Sequence, residues 1–411
     1  MSHYWFASAP LFSHTDWGGY LKTAQALQAS GHRVTWVSGE ALRAPLASTG
    51  IGFEPVAQTG WLWPPPPVPD VTTMPPQEAV LLRYRRALDT WMTESLVADA
   101  VRELLALAER IGPPDALVTD PFLTAAALAA EKLGVPLAVC GWVAQRELNE
   151  DSLFPIQRAL AGESQARISR LLETFDLRGE NFAGGATPSV LSPHLHISYF
   201  SANWYLADAA NLLDHTLFVG GMPTPPQGDP PGWLADIPPE TPLAFVTLGT
   251  TFTGDYGFYA WAAQAAARAG LLPIVAVGWN PIPPEEKQKL VAALPKGARL
   301  VNFAPLDHVL PRCQLMIHHG GMGTTHAAVV HGVMQIVVPH AADQRGNAVR
   351  VAQAKVGFNL TAIDVRRGGL LQGAQALLSD PWVAENARAV AAEFAALGGP
   401  RAAADALMRL V

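Results

Sequence analysis

The chain is poor in several things that would place it outside the ordinary globular proteins. It has two cysteines in 411 residues, Cys140 and Cys313, and neither belongs to a CxxC pair or a His-rich spacing. A disulfide framework and a structural zinc site are excluded on that count, and a reducing cytoplasm is expected. Charge is sparse, at 15% of residues, and the 28 Lys and Arg fall short of the 35 Asp and Glu, for a net charge of −7. Such a chain has no basic surplus with which to hold nucleic acid. No run approaches the roughly 18 apolar residues of a membrane span, so no integral membrane segment is expected. No Lys or Arg precedes Lys22, so the amino terminus does not read as a signal peptide.

What is present is core material, with 49% hydrophobic residues, and 35 prolines set against 35 glycines. At roughly 100–200 residues per domain the length points to two domains. Short β-prone runs at Tyr4–Ser8 and Arg33–Ser38 flank a segment in which Leu21, Ala24 and Leu27 recur at helical spacing. The unit ends at Ser30-Gly31, where Gly takes the left-handed position after a helix. The same grammar returns with a strand at Ala116–Thr119, a helix at Thr124–Leu133, a stop at Gly134 and Pro136, and a strand at Leu137–Cys140. Alternation of this kind implies parallel sheets with helices on both faces.

The prolines gather in two places. Residues 61–76, with Pro64–Pro67, Pro69, Pro75 and Pro76, read as a stiff surface connection flanked by Trp61 and Trp63. The second cluster, at 222–231, precedes a strand at Leu243–Leu248 and marks a domain boundary. Beyond it, strands near 274–277, 300–303, 314–318 and 335–338 alternate with Ala-rich helical sequence. The expected domains are 1–222 and 223–390, followed by a carboxyl-terminal helix at 391–411 packing back toward the first domain.

The most informative stretch runs from Ile317 to Gln344, IHHGGMGTTHAAVVHGVMQIVVPHAADQ. A strand ends at Ile317, a turn His319-Gly320-Gly321-Met322-Gly323 follows, and a helix begins at Thr324. A helix N-terminus behind glycines offers unpaired N–H groups and partial positive charge to an anion, and a phosphate is the natural guest. The spacing matches neither GxxxxGK[ST] nor GxGxxG.

This segment resembles the donor-binding signature of the nucleotide-sugar-dependent glycosyltransferases of the GT-B fold. It is similar in particular to the bacterial branch that glycosylates natural products, sterols and other lipophilic acceptors. The resemblance implies an α/β fold of two doubly wound Rossmann-like domains facing across a cleft, and an inverting, metal-independent transferase. Its implied partners are a nucleoside-diphosphate sugar, dTDP- or UDP-linked, as co-substrate and a small acceptor hydroxyl, with no cofactor and no nucleic acid. A cytoplasmic monomer or weak dimer is expected. A GT-B nucleotide-sugar epimerase and a non-catalytic sugar-nucleotide-binding protein are the alternatives.

Carried over residue by residue, the resemblance assigns the donor diphosphate to His319, Gly321, Gly323, Thr324 and Thr325, with Gly249 and Thr250 in a second phosphate loop. Asp343 and Gln344 match the pair that hydrogen-bonds the sugar hydroxyls. Phe303 stands where relatives carry a Trp stacked on the nucleobase. Ala327 replaces a Glu that grips both ribose hydroxyls in some relatives, which leans toward a deoxyribose dTDP donor.

Transfer to a hydroxyl requires a group that takes its proton, and a His serves near neutral pH. His14 lies in the loop after the first strand, where the resemblance places the base. Ungapped counting from Gly31-His32 puts Asp16 there instead, so both remain candidates. Asp120, closing the strand Ala116–Thr119, is the carboxylate implied to orient the base. Trp17 and Trp142, with Trp61, Trp63 and Trp91, suggest an aromatic or polycyclic acceptor.

Overall fold

Alternation along His3–Ala7 (β1) sends Tyr4 and Phe6 to one side of a sheet and Trp5 and Ala7 to the other, as the period of two requires. Tyr4 and Phe6 pack with Tyr20 and Trp36, and with Ala403, Ala404 and Leu407 from the end of the chain. Trp5 and Ala7 pack with Val97, Val101 and Leu104 of the helix Glu94–Ile111. A strand buried on both faces belongs inside a parallel sheet. The computed structural model describes residues 1–16, 18–67, 69–141, 155–182, 190–226, 228–249, 254–278, 281–340 and 343–411.

The first sheet comprises β1 with Arg33–Ser38 (β2), Gly52–Pro55 (β3), Ala116–Thr119 (β4), Leu137–Gly141 (β5), Leu195–Ser198 (β6) and Thr216–Phe218 (β7), in the order β3-β2-β1-β4-β5-β6-β7. Its named strands pair in parallel. The direction of winding reverses between β1 and β4, and it is outside the carboxyl ends of such a pair that open α/β sheets bind ligands. The Tyr20 hydroxyl lies 3.0 Å from Ala7 O and 2.8 Å from Val118 O, tying the ends of those two strands together.

The second sheet is built from Leu243–Thr247 (β8), Leu272–Ala276 (β9), Arg299–Val301 (β10), Cys313–His318 (β11), Met334–Val337 (β12) and Gly357–Asn359 (β13), in the order β10-β9-β8-β11-β12-β13. Here the reversal falls between β8 and β11, with Thr247 opposite His318. The loop after β8 and the glycine turn after β11 therefore leave the sheet side by side.

The chain separates into two compact units, one of residues 1–202, 206–219 and 399–411 and the other of 203–205 and 220–398. The division falls at Val219/Gly220, three residues before the boundary read from the second proline cluster, and the returning segment starts at Gly399 rather than 391. Gly220 needs to be glycine, because a Cβ there would lie 2.2 Å from Phe394 O. Phe394, on the helix Pro381–Ala396, is fully buried against Trp204 and His326, which keeps that helix with the second unit.

Residues 61–67 run outside the sheet as an exposed connection. They are pinned by Leu62 N–H to Thr90 O (2.7 Å) and by Arg86 to Pro66 O (2.6 Å) and Pro67 O (3.1 Å). The anchoring groups sit on the helix Pro76–Met92, so the proline segment forms a fixed ledge.

Candidate active site

In the second unit β11 ends in two histidines with different tasks. His318 is fully buried; its Nδ1 accepts the Gly320 N–H (3.1 Å), which leaves the ring proton on Nε2 to donate to Gln335 Oε1 (3.0 Å). Burial holds its pKa down near 4, so it serves as a neutral brace for the turn. The sequence reading gave it no role.

His319 stands between the two loops. A Cβ on Gly249 would lie 2.7 Å from its Cε1, and one on Gly321 would lie 2.5 Å from its Nε2. Glycine at both positions is what lets the loops close on the ring, and Gly249 also sits at φ +73°. Burial, then the neighbouring His318 and His340, lowers the His319 pKa to about 3. The ring is neutral near pH 7 and can offer a hydrogen bond but not a charge. Its Nδ1 is buried with no hydrogen-bond partner among the described residues.

The helix following the turn is Met322–Val330, starting two residues earlier than the sequence indicated, with Gly321 at its N-cap. Thr325 N–H bonds to Gly321 O (2.9 Å), so the first-turn amides of Gly323 and Thr324 are those offered outward. Thr324 is half-buried and Gly323 exposed, but Thr325 is fully buried. That separates two residues the sequence reading had grouped, because the Thr325 hydroxyl lies beneath the helix.

Asp343 occupies the N-cap position of the helix Gln344–Gln353, yet its side chain makes no capping bond to that helix. Its carboxylate accepts from Asn347 Nδ2 on the same helix (3.2 Å), and the Met322 and Gln344 N–H groups also favour its charged form. Burial outweighs these donors and pushes its pKa up to about 6. Gln344 is buried, and its Oε1 accepts the His340 N–H (2.8 Å). Asn347, absent from the sequence reading, has a signal in hindsight: it follows Asp343 by four residues, one helical turn along the same face.

In the first unit the loop after β1 folds into a turn at Phe12–His14. It is fixed by His14 N–H to Leu11 O (2.9 Å) and by the Thr15 hydroxyl to Phe12 O (2.7 Å). Asp120 follows β4 directly and is fully buried. Its Oδ1 accepts the Phe122 N–H (2.7 Å) around Pro121, and its Oδ2 stands 3.7 Å from His14 Nδ1. The imidazole is 12% exposed and the carboxylate 0%, so water reaches the ring and not its partner. A His backed by a buried carboxylate has the form of a general base with an orienting group. Asp16, the other candidate, is exposed.

An aromatic series leads away from His14. Trp61 meets His14 edge to face at 4.8 Å between ring centroids, Trp91 follows at 6.2 Å, and Phe122 lies 5.3 Å beyond Trp91. All three are half-buried, so each shows part of a ring to solvent. Phe303 is 52% exposed and is not a core residue. Trp17, Trp142 and Thr250 lie outside the described residues. Among the described residues no three His, Cys, Asp or Glu side chains converge as a metal-ligand set, and no helix is long and apolar enough to cross a membrane.

Residues 282–410 match the family described as erythromycin biosynthesis protein CIII-like, C-terminal domain. The chain is 26% identical over 423 aligned positions to 4'-demethylrebeccamycin synthase of Lentzea aerocolonigenes, covering 94% of this chain and 95% of that one. Among solved structures it is similar to the glycotransferase of kitacinnamycin, at TM-score 0.75 and 23% identity, over 100% of this chain and 99% of the other. It is also similar to the spinosyn rhamnosyltransferase SpnG complexed with thymidine diphosphate, at TM-score 0.70 and 21% identity, over 99% and 100% of the two chains.

Proposed function

We propose that this chain, which belongs with the GT-B natural-product glycosyltransferases, moves a sugar from a nucleoside-diphosphate sugar to a hydroxyl of a small lipophilic acceptor, with inversion at the anomeric carbon. The observation that carries the reading is topological. Each sheet carries polar groups at its own point of reversal, a His–carboxylate pair after β1 and β4 and, after β8, β11 and β12, a glycine turn opening a helix beside the Asp343 carboxylate, which supports this reading.

His14 takes the acceptor proton as the oxygen attacks the anomeric carbon, and Asp120 orients the ring and stabilises its protonated form. The bond from the anomeric carbon to the diphosphate oxygen breaks in the same step. Charge gathering on the leaving group is met by the Gly323 and Thr324 amides, the Thr324 hydroxyl and a neutral His319 N–H. Asp343 accepts from sugar hydroxyls and Gln344 completes their recognition. Metal independence is part of the proposal, and activity that persists undiminished in EDTA is the expected result.

A dTDP donor is favoured by Ala327, which cannot bond ribose hydroxyls, and by the thymidine diphosphate held by the SpnG neighbour. The ledge of Trp61, Trp91 and Phe122 beside His14 supports a planar, aromatic or polycyclic acceptor. Incubation with dTDP- or UDP-sugars and hydroxylated polycyclic acceptors tests the reading. It predicts a glycoside, whereas an altered sugar nucleotide formed without acceptor, or no product at all, would overturn it.

A further inference from the structure

Between the turn that would hold the diphosphate and the carboxylate that would hold the sugar lies one side chain the mechanism has not used. Asn347 is 2% exposed, and its Nδ2 donates to Gly320 O at 2.8 Å and to Asp343 Oδ2 at 3.2 Å. An amide nitrogen carries two hydrogens, so one atom serves both bonds. Neither a hydroxyl, with one hydrogen, nor a carboxylate, with none, can do the same.

The surroundings give that nitrogen little freedom. Gly320 sits at φ +91°, and a Cβ there would lie 2.7 Å from Val337 Cγ1 and 2.9 Å from Gln344 O. The turn is thus pressed against the start of the helix that carries Asn347. Its N–H is fixed from behind by His318, itself braced by Gln335. From the other end, the Met322 N–H at the opening of the helix Met322–Val330 favours the charged form of the Asp343 carboxylate. The hydrogen bonds run from Gln335 through His318, Gly320 and Asn347 to Asp343.

We infer that Asn347 is a positioning residue that sets the Asp343 carboxylate relative to the glycine turn, so that diphosphate and sugar are recognised together as one rigid ligand. The inference rests on the donor site proposed above and assigns Asn347 no contact with substrate. Its consequence is specific to the sugar. Loss of Asn347 should reduce the advantage of a nucleotide sugar over the bare nucleoside diphosphate and leave the nucleoside diphosphate itself comparatively well bound.

The test is calorimetric titration of the full chain with dTDP and with dTDP-glucose, in wild type, Asn347→Ala, Asn347→Asp, Asp343→Asn and the double variant Asn347→Ala/Asp343→Asn. Loss of a coupling of this kind is worth about tenfold in affinity, expected for dTDP-glucose and not for dTDP. In the Asp343→Asn background, Asn347→Ala should add little. Asn347→Asp is nearly isosteric yet replaces a donor with a like charge beside Asp343, so it should also move the acid limb of dTDP-glucose binding to higher pH. Unfolding curves identify any variant that has not folded, and Asn347→Asp then carries the test if Asn347→Ala fails.

Equal losses for dTDP and dTDP-glucose, fully additive losses in the double variant, or an unmoved pH limb in Asn347→Asp would each overturn the inference. A wild-type chain that binds neither ligand would instead overturn the donor site on which it rests.

Discussion

His14 Nδ1 stands 3.7 Å from Asp120 Oδ2, with the carboxylate wholly buried and the imidazole 12% exposed. The distance exceeds a hydrogen bond. That is a common condition for a catalytic pair without its substrate. The second oxygen of Asp120 is already held by the Phe122 N–H, so the ring has one carboxylate oxygen to turn toward.

Asp120→Asn keeps the shape of this pair and removes its charge. Turnover should fall roughly 100-fold or more, within the range attributed to assisted proton transfer, and dTDP affinity should stay within about twofold, since the changed group lies in the other unit. Steady-state kinetics beside calorimetry with dTDP checks both. A variant with normal turnover would show that the carboxylate does not act on the base.

His319 is neutral near pH 7 because burial holds its pKa near 3. Its contribution to diphosphate binding is then a hydrogen bond to a charged group, worth about 1.5–3 kcal/mol, or roughly 10- to 150-fold in affinity. His319→Ala should weaken dTDP by that factor, and the factor itself should change little between low and high salt. A loss that shrinks steeply with salt would mark a charged imidazole instead.

Asp343, raised to about 6, accepts from sugar hydroxyls through both oxygens, and with a charge, only when ionised. Nucleotide-sugar affinity should hold above that pH and decline as the pH falls through it, while nucleoside diphosphate affinity declines less. Titrations between about pH 5 and 7 (on the order of one unit to either side of the group, the span over which a carboxyl changes charge) should show the limb, and Asp343→Asn should flatten it.

Stability follows a different limb. His318, His319 and His196 are buried, with pKa values lowered to about 4, 3 and 3 from the ordinary value near 6.5. Below about pH 6.5 the unfolded chain takes up these protons and the folded chain does not, so stability is present above that pH and declines toward pH 4. Asp343 opposes the trend by binding a proton in the folded state near pH 6, while His3, lowered to about 4, adds to it, so one group stands against four. Urea midpoints should therefore decrease from pH 7 to pH 5, and a midpoint that rises would contradict the burial of the three rings.

Two glycines separate backbone strain from packing. Gly134 has φ +66° with nothing within 4 Å of an added Cβ, whereas at Gly320, with φ +91°, an added Cβ meets Val337 Cγ1 at 2.7 Å. Gly134→Ala should cost about 1–2 kcal/mol, the penalty of a left-handed residue with a side chain. Gly320→Ala should cost more and also weaken dTDP binding. Equal losses in urea denaturation would mean that the turn yields without displacing its neighbours.

Much of the architecture was readable because buried parallel strands have short apolar runs with glycine or proline stops. Arg33–Ser38, Ala116–Thr119 and the helix Thr124–Leu133 fall where the sequence placed them. The strands Gly52–Pro55 and Thr216–Phe218 were not recognised: they are three or four residues long and only partly buried, so no alternation has room to show. The long helices Pro76–Met92 and Glu94–Ile111 were passed over beside the proline cluster that precedes them.

At the site, local chemistry singles out the glycine turn and its histidine, and the resemblance together with their places at strand ends singles out His14 and Asp120. The differing burial of Thr324 and Thr325 depends on how the helix Met322–Val330 lies on its sheet. The bracing by His318 and Asn347 depends on which backbone groups the turn leaves facing them. Neither is encoded in a motif.

The most direct measurement is single-turnover transfer by His14→Ala, with dTDP affinity determined on the same preparation. Loss of glycoside formation with dTDP affinity within about twofold of wild type is the expected result, because the change removes the proton acceptor from one unit and leaves the anion site in the other. Undiminished turnover would contradict the account and move the role of base to Asp16.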